Sequence, residues 1–412
     1  MKIAIIGGGA AGMMTAATIL ERNTSNVEVF LIEKNSLLGN KVIISGGGRC
    51  NVTTGIRDMK VLLTKYPRGT NFLRTALYNF PPEKVYNWFQ GHGVPLKIEK
   101  DLRVFPKSDN GKDIVGVFED MFKKKKAQIL FKRNVVSISH IDNKFTITFK
   151  DHDDLVVDKV VLATGGQAYR HTGSTGDGYT FAEQLGHKIS MLAPSLSSFV
   201  TEEKWTAKVA GVSFQRAGFY IRGEKNYEFV GPFVFTHKGI SGPAIFAMSA
   251  LSAFEKYDKA HPMKLMLDVL PDISHEELEK KLTEYVKNNH KKTILTTLHE
   301  YVPWSLAEIF CELLEISPEK MNAEIPKKTL HKTIELLKRC PFSVIGRGAG
   351  DEFVTAGGVD LAEIDSKTME SKICPGLYFA GEIMNIDGFT GGFNLQASWA
   401  TGRLAGEHAS MV

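Results

Sequence analysis

The chain has 412 residues, 43% hydrophobic and 24% charged, with a formal net charge of +5. That length suits two or three domains and a large core, and so mild a charge calls for neither nucleic acid nor a membrane surface as partner. Cys50, Cys311, Cys340 and Cys374 show no CxxC spacing, which excludes a disulfide scaffold and a thioredoxin-type pair, so redox chemistry is expected from a bound cofactor.

The first predicted strand, Ile3 to Ile6, runs into Gly7-Gly8-Gly9-Ala10-Ala11-Gly12. An apolar helix from about Ala11 to Glu21 follows, then a second strand from Val27 that ends on Glu33. Gly7 permits a turn few other residues make, Gly9 lets a pyrophosphate approach the backbone, and Gly12 lets helix and strand pack closely. The helix offers its free N–H groups to phosphates. Glu33 stands where a carboxylate accepts both ribose hydroxyl protons of an adenosine. Strand, turn, helix, strand and acid in register predict a dinucleotide site, and the acid favours the free 2′-hydroxyl of FAD or NAD over the phosphate of NADP. No charged segment, apolar segment and cleavage site precede the first strand, which predicts a cytoplasmic protein.

Next comes a loop from Gly39 to Asn51, too rich in glycine for a helix. Its Gly46-Gly47-Gly48 bring backbone amides near something flat or anionic, with Lys41 and Arg49 beside them. Helical spacing covers Asn71 to Phe89, Arg103 to Pro106 is a short strand, and Gly111 to Lys126 is a helix with one apolar side. Its Lys123 to Lys126 run is a solvated C-terminal end rather than a nucleic-acid patch. Four strands follow, at Gln128 to Phe131, Val135 to Ile141, Phe145 to Phe149 and Leu155 to Leu162. The last leads to Ala163-Thr164-Gly165-Gly166, where backbone returns to the nucleotide. A second glycine-rich passage, Thr172 to Tyr179, opens a helix through Leu185.

From about Lys188 to Gly357 the character changes. Strands at Val212 to Ile221, Tyr227 to Val230, Phe233 to Thr236 and Lys264 to Leu270 predict a small barrel or sandwich. Helices then begin at two capping boxes, Ser274-x-x-Glu277 and Ser305-x-x-Glu308. The longest uncharged stretch, Gly239 to Phe254, holds Pro243 and falls short of the ~20 apolar residues of a membrane span. The chain returns to glycine at Val354 to Val359, at Gly381-Glu382 and at Asp387 to Ala397, which opens a helix to about His408. Aimed at the pyrimidine end of a flavin, the helix start behind Gly391-Gly392 would stabilise the negative charge of reduction. One complete GxGxxG unit argues against a separate NAD(P)H domain. No metal-ligand spacing and no nucleophile elbow occur, so neither a metal nor a hydrolase triad is predicted.

Ser45 to Asn51, Arg103 to Pro106, Thr172 to Tyr179, Phe235 to Pro243, Thr368 to Lys372 and Gly381 to Gln396 together resemble the HI0933-like flavoproteins of the two-dinucleotide-binding-domain superfamily. The resemblance implies an α/β fold: a Rossmann-like, three-layer ββα FAD-binding domain from residues 1–188 and 357–412. It also implies an inserted β-barrel domain, 189–272 with 341–356, and a small helical domain, 273–340. It implies non-covalent FAD, with Gly7, Gly9, Ala10, Ala11 and Gly12 on the pyrophosphate, Glu33 on the ribose and backbone Val135 on the adenine. Lys41, Arg49, Cys50 and Asn51 approach the pyrophosphate or flavin, and Thr164 and Gly165 flank the nucleotide. Gly381, Glu382, Asp387, Gly392, Asn394, Gln396 and Ala397 surround the ribityl chain and ring, with Lys34, Gly48, Gly166 and Gly391 completing the cofactor set. Where the family has Ser-Tyr-Pro this chain has Ala168-Tyr169-Arg170, and where it has Leu-Asp this chain has Met384-Asn385. Both departures fall on the substrate side, where Tyr169, Arg170 and His171 are the candidate contacts.

The expected function is an FAD-dependent oxidoreductase passing hydride to or from flavin N5 on a small organic substrate. Enone reduction and amine oxidation with peroxide release both attach to the family, and NAD(P)H would dock only transiently at the flavin face. The alternatives are an RNA-associated or tRNA-modifying flavoprotein, disfavoured by the mild charge, and a flavin-binding protein without turnover. Cys50, with no partner in motif spacing, reads as packing.

Overall fold

Lys2–Ile6 is the central strand of a five-stranded sheet in a computed structural model that describes residues 1–22, 26–125, 127–348 and 352–411. The strand order is Leu377–Phe379, Lys159–Leu162, Lys2–Ile6, Glu28–Glu33, Gln128–Phe131, all parallel. Ile3, Ala4 and Ile5 are fully buried, as the unbroken apolar run of a strand covered on both faces requires. Helices Ala10–Arg22, Gly111–Lys125 and Phe393–Ala409 form one layer. The meander Val135–Ile141, Lys144–Phe149, Leu155–Val157 packs against Lys2–Ile6 and Lys159–Leu162 as another, giving the three-layer ββα arrangement. Phe145, Ile147 and Phe149 alternate inward from its middle strand.

The structure differs from expectation at several joints. The single strand expected from Leu155 to Leu162 is two strands in two sheets, divided at Asp158, whose carboxylate accepts from Lys2 N at 2.6 Å. The helical stretch from Asn71 to Phe89 is two helices, Thr70–Asn79 and Pro82–Gly91, because Pro81 and Pro82 cannot continue the first. Asn40–Ile44 makes one helical turn before the glycines, and Lys126 lies outside the described residues.

The chain divides into two compact units, Met1–Pro194 with Phe353–Val412 and Ser195–Glu352. In the second, Phe199–Thr201, Gly239–Ser241, Tyr227–Thr236, Ser213–Ile221, Met263–Asp268 and Cys340–Arg347 close a barrel. Tyr227–Thr236 is one strand through Gly231-Pro232; the register slips between Phe214 and Ala217 opposite, which accommodates a proline without an N–H. Phe199, Phe219, Phe233, Phe235 and Phe342 share one core with Leu278, Leu282, Leu306, Phe310 and Leu337 of the following helices. Ser274 caps as expected, accepting from Glu277 N at 3.1 Å. Ser305 does not, because Pro303 sets the start of the helix at Trp304 and puts Ser305 inside the first turn. The uncharged Gly239 to Phe254 stretch supplies a barrel strand and the buried helix Pro243–Leu251, and no described helix is long and apolar enough to cross a membrane.

Candidate cofactor site

The glycine turn shows why each glycine is needed. Gly7 has φ +109° and donates its N–H to Ile32 O at 2.9 Å, and a Cβ there would run into the Ala163 carbonyl. A Cβ on Gly12 would strike the Gly7 carbonyl, whereas one on Gly9 would meet nothing within 4 Å. The turn is therefore closed on its protein side and open at Gly9. Met13 N bonds back to Gly9 O at 2.9 Å, so the helix starts there and the amides just ahead of Met13 are its free N-terminal donors. Glu33 is 9% exposed; its Oε2 accepts from Gly8 N and its Oε1 from Asn35 N and Nδ2, all at 2.8 Å. These bonds fix the carboxylate and leave lone pairs for hydroxyl donors. Lys34 is tied to the second glycine-rich turn, through Thr175 Oγ1 at 2.6 Å and Asp177 at 2.7 Å. Val135, at the start of the meander, is buried.

The other glycine segments converge on this turn. Ala163 N donates to Ile6 O at 2.9 Å, carrying Thr164 and Gly165 to the end of the central strand. Added Cβ atoms would bring Gly381 to 2.8 Å from Ala11 Cβ and Gly166 to 3.0 Å from Glu382 Oε1. Glu382 pairs with Lys41 at 2.8 Å and accepts from Thr355 N at 2.8 Å, while Thr355 Oγ1 accepts from Gln167 N at 2.7 Å and Ala168 N at 3.2 Å. Lys41 Nζ lies 5.9 Å from the Tyr169 ring centroid. Tyr169 holds φ +57°, stacks on Phe353 at 6.0 Å and meets His171 edge-on at 5.8 Å. His171 and Arg170 are exposed, and Arg170 Nη2 donates to Gln167 Oε1 at 2.7 Å.

At the far end Gly392, φ +87°, caps Phe393–Ala409. With its amide oriented to satisfy its neighbours, Asn51 accepts from Gly392 N at 2.9 Å and donates to Thr53 O at 3.0 Å, joining the first glycine loop to this helix start. Gly48 stays open, with nothing within 4 Å of an added Cβ. Ala10, Ala11 and Ala397 are buried. Not every expected residue faces open space. Arg49 lies over the Phe105 ring at 3.8 Å, between Glu99 at 2.8 Å and Asp109 at 3.3 Å. Gln396 is fully buried and engaged by protein, from Thr53 Oγ1 at 2.6 Å and to Phe80 O at 2.8 Å. Asn394 exchanges two 2.8 Å bonds with Gly388, and the buried Asp387 carboxylate is gripped by Arg68. Cys50 is fully buried and its thiol is pushed up to about 12 by burial, which makes it packing. The sequence does not mark Arg68 or Thr355, whose partners Asp387 and Gln167 lie 319 and 188 residues away, nor Asn35, which orients Glu33 from two residues on.

The residues fit a dinucleotide. The Gly9 face is bare, free helix amides adjoin it, and two buried hydroxyls of this region, Thr164 Oγ1 and Tyr179 OH, lack protein partners. Among the described residues no group of three or more His, Cys, Asp or Glu could hold a metal ion.

The profile of the HI0933-like protein Rossmann domain matches residues 1–408. The chain is 30% identical over 414 residues to the 3-dehydro-bile acid delta(4,6)-reductase of Clostridium scindens, covering 99% of each. It is 29% identical over 402 residues to the ribosomal RNA dihydrouridine synthase of Escherichia coli K12, covering 96% of this chain and 95% of that one. Among solved structures, an open flavocytochrome c3 fumarate reductase aligns at TM-score 0.51 and 17% identity, over 99% of this chain and 78% of that one. The 3-ketosteroid delta1-dehydrogenase of Sterolibacterium denitrificans aligns at TM-score 0.50 and 12% identity, over 99% of both chains, a likeness of fold. With this match from end to end, on a bare glycine turn and a Rossmann-type sheet, the chain belongs to the HI0933-like family, flavoprotein oxidoreductases on a Rossmann-type scaffold.

Proposed function

We propose that this chain uses FAD to saturate a carbon–carbon double bond conjugated to a carbonyl. One observation carries the reading: relatives matched over nearly the whole of both chains are named for a 3-dehydro-bile acid delta(4,6) reduction and for dihydrouridine synthesis in ribosomal RNA. A steroid dienone and a uracil ring share little except a C=C polarised by a neighbouring C=O. FAD, when bound, supplies the hydride. Hydride adds at the β-carbon, the π electrons move to the carbonyl oxygen, and a proton then closes the α-carbon.

Gly7, Gly9, Ala10, Ala11 and Gly12 would hold the pyrophosphate, Glu33 the ribose and Val135 the adenine. Thr164, with its unpartnered hydroxyl, would line the nucleotide. The Lys41–Glu382 pair and the amides behind Gly391 and Gly392 would stand at the flavin end, where negative charge collects on reduction. Tyr169, held left-handed and stacked on Phe353, is the group we assign to the proton, with His171 and Arg170 as further substrate contacts. NADH or NADPH would reload the flavin by transient docking.

The test is anaerobic. Protein with chemically reduced flavin is mixed with a 3-oxo-Δ4 steroid or with a uridine-containing ribosomal RNA fragment, and in a separate aerobic arm protein with oxidised flavin is mixed with a small amine. Flavin reoxidation with two hydrogens gained by steroid or RNA supports the proposal; turnover only of the amine, with peroxide in air, overturns it. Mixing oxidised protein with each nicotinamide separately checks the reductant, and an unbleached spectrum with both removes it.

A second observation favours the RNA substrate. Unit Ser195–Glu352 contains 21 Lys and Arg and 21 Asp and Glu, so the whole net charge of +5 belongs to the other unit. There Arg57, Lys60 and Arg74 are exposed, and no ion pair holds them among the described residues. RNA retention that falls steeply with salt would support this reading, and no retention at low salt would remove it.

A further inference from the structure

Lys65, Tyr66, Arg68 and Gly69 each touch the turn ahead of helix Phe393–Ala409 or its first residue. Arg68 grips the fully buried Asp387 carboxylate through two guanidinium nitrogens, and the two residues also form an antiparallel backbone bridge. Phe389 N donates to Lys65 O at 2.9 Å. Tyr66 OH donates to Phe393 O at 3.0 Å, and its ring meets that of Phe393 edge-on at 6.2 Å. Gly69 lies so close to Ile386 that a Cβ there would sit 2.5 Å from Ile386 Cγ2. Asp387 is in turn held to the helix start, because Asn394 exchanges two hydrogen bonds with the adjacent Gly388.

We propose that Arg68 is a positioning residue for the flavin end of the site: by neutralising buried Asp387 it leaves the free amides of the Phe393–Ala409 N-terminus as the dominant local field. An uncompensated carboxylate in the segment that Gly388 and Asn394 tie to that helix start would oppose the field the amides supply. Backbone donors of the first helical turn, at residues 393–395 ahead of Gln396 N, which bonds back to Gly392 O, favour an electron-rich partner; an added negative charge at residue 387 disfavours it. The ion pair thus lets the turn be built from an aspartate, whose buried oxygens Arg68 satisfies, without weakening the site. This rests on the FAD reading and is independent of which substrate is reduced.

The measurement is the two-electron midpoint potential of the bound flavin in three full-length variants. Arg68→Gln removes the guanidinium charge that grips Asp387 and should shift the oxidised-to-reduced equilibrium at least tenfold toward the oxidised form, a fall of about 30 mV for a two-electron couple. Asp387→Asn removes the carboxylate charge while keeping Arg68 and should move the potential upward. Arg68→Gln combined with Asp387→Asn restores neutrality and should return toward the unaltered value. Loosening of the turn without an electrostatic role would move both single variants in one direction, and that result, or no shift in either, overturns the proposal. If Arg68→Gln fails to fold, the sign of the Asp387→Asn shift decides: upward supports the assignment, unchanged or downward overturns it. Purified protein that never retains FAD would instead remove the cofactor reading, a distinguishable outcome.

Discussion

Two alanine substitutions in the glycine turn, at Gly9 and at Gly12, separate binding from folding. At Gly9 an added Cβ meets no atom within 4 Å, and the backbone there is not left-handed, so Gly9→Ala should change the stability of the cofactor-free protein by no more than about 1 kcal/mol. At Gly12 the same methyl strikes the Gly7 carbonyl, a backbone atom with nowhere to go. Gly12→Ala should therefore destabilise by about 1–3 kcal/mol, and in a unit of this size each kcal/mol lowers Tm by roughly 2–4 °C. The order reverses for the cofactor. The Gly9 methyl fills the open face a pyrophosphate needs, so FAD affinity should fall at least tenfold, about 1.4 kcal/mol. The assay is thermal melting of apoprotein paired with FAD titration by flavin fluorescence. Unaltered FAD binding in Gly9→Ala, or an unaltered Tm in Gly12→Ala, would refute the reading of the turn.

All four cysteines are buried and burial raises each thiol, so a thiol reagent at pH 8 should label none in the native protein and all after denaturation; prompt labelling of Cys50 would sink the packing assignment. His187 sits with no side-chain exposure between Ser371 Oγ at 2.8 Å and Glu363 at 3.2 Å, and burial lowers its pKa against the opposing pull of Glu363. Because the unfolded chain takes up this proton first, the contribution is complete above about pH 6.5 and lost as pH falls through the folded value; His187→Gln should flatten Tm between pH 7 and 5, and parallel profiles would contradict this. Trp399 is fully buried, donates to Val52 O at 2.9 Å and packs on Phe89 and Phe118, so Trp399→Ala should lose about 3–5 kcal/mol in chemical denaturation.

What could be read from the sequence was local. Strand, glycine turn, helix and acid lie within 33 residues, and their spacing carries the chemistry of the phosphate site by itself. The glycine clusters near Gly47, Gly165 and Gly391 were likewise visible as places where backbone must come close to something. That they gather at one site came only from the family resemblance, and the side-chain pairs that join them, such as Lys41–Glu382 and Arg68–Asp387, are 341 and 319 residues apart and leave no local mark. Composition also misleads about side chains that merely look chemical. Arg49 follows three glycines, yet Glu99, Asp109 and Phe105 occupy it, and Gln396 satisfies two neighbours inside the core. The break at Asp158 escaped notice for a related reason: both halves are apolar strands, and only a bond to Lys2 tells them apart.

The two helix starts of the site are fixed to one another as well as to the sheet. Helices Ala10–Arg22 and Phe393–Ala409 cross at glycines: a Cβ on Gly402 would land on Ala11 O, and one on Gly406 would come within 2.7 Å of Thr15 O. Thr15 Oγ1 is shared between Ala11 O at 2.8 Å and Gly402 O at 3.0 Å, so the crossing is hydrogen-bonded where it is closest. Backbone touching backbone leaves no flexible side chain to absorb a change. Gly402→Ala must therefore push the helices apart, destabilising by about 1–3 kcal/mol. Because Ala11 belongs to the glycine turn to which we assign the pyrophosphate, the same displacement moves the free amides at one helix start relative to those at the other. FAD affinity should then fall along with Tm, whereas Trp399→Ala, which leaves the crossing glycines in place, should lower Tm with a smaller loss of affinity per degree. Equal losses of affinity per degree in the two variants would show that the helix starts are held independently of this crossing.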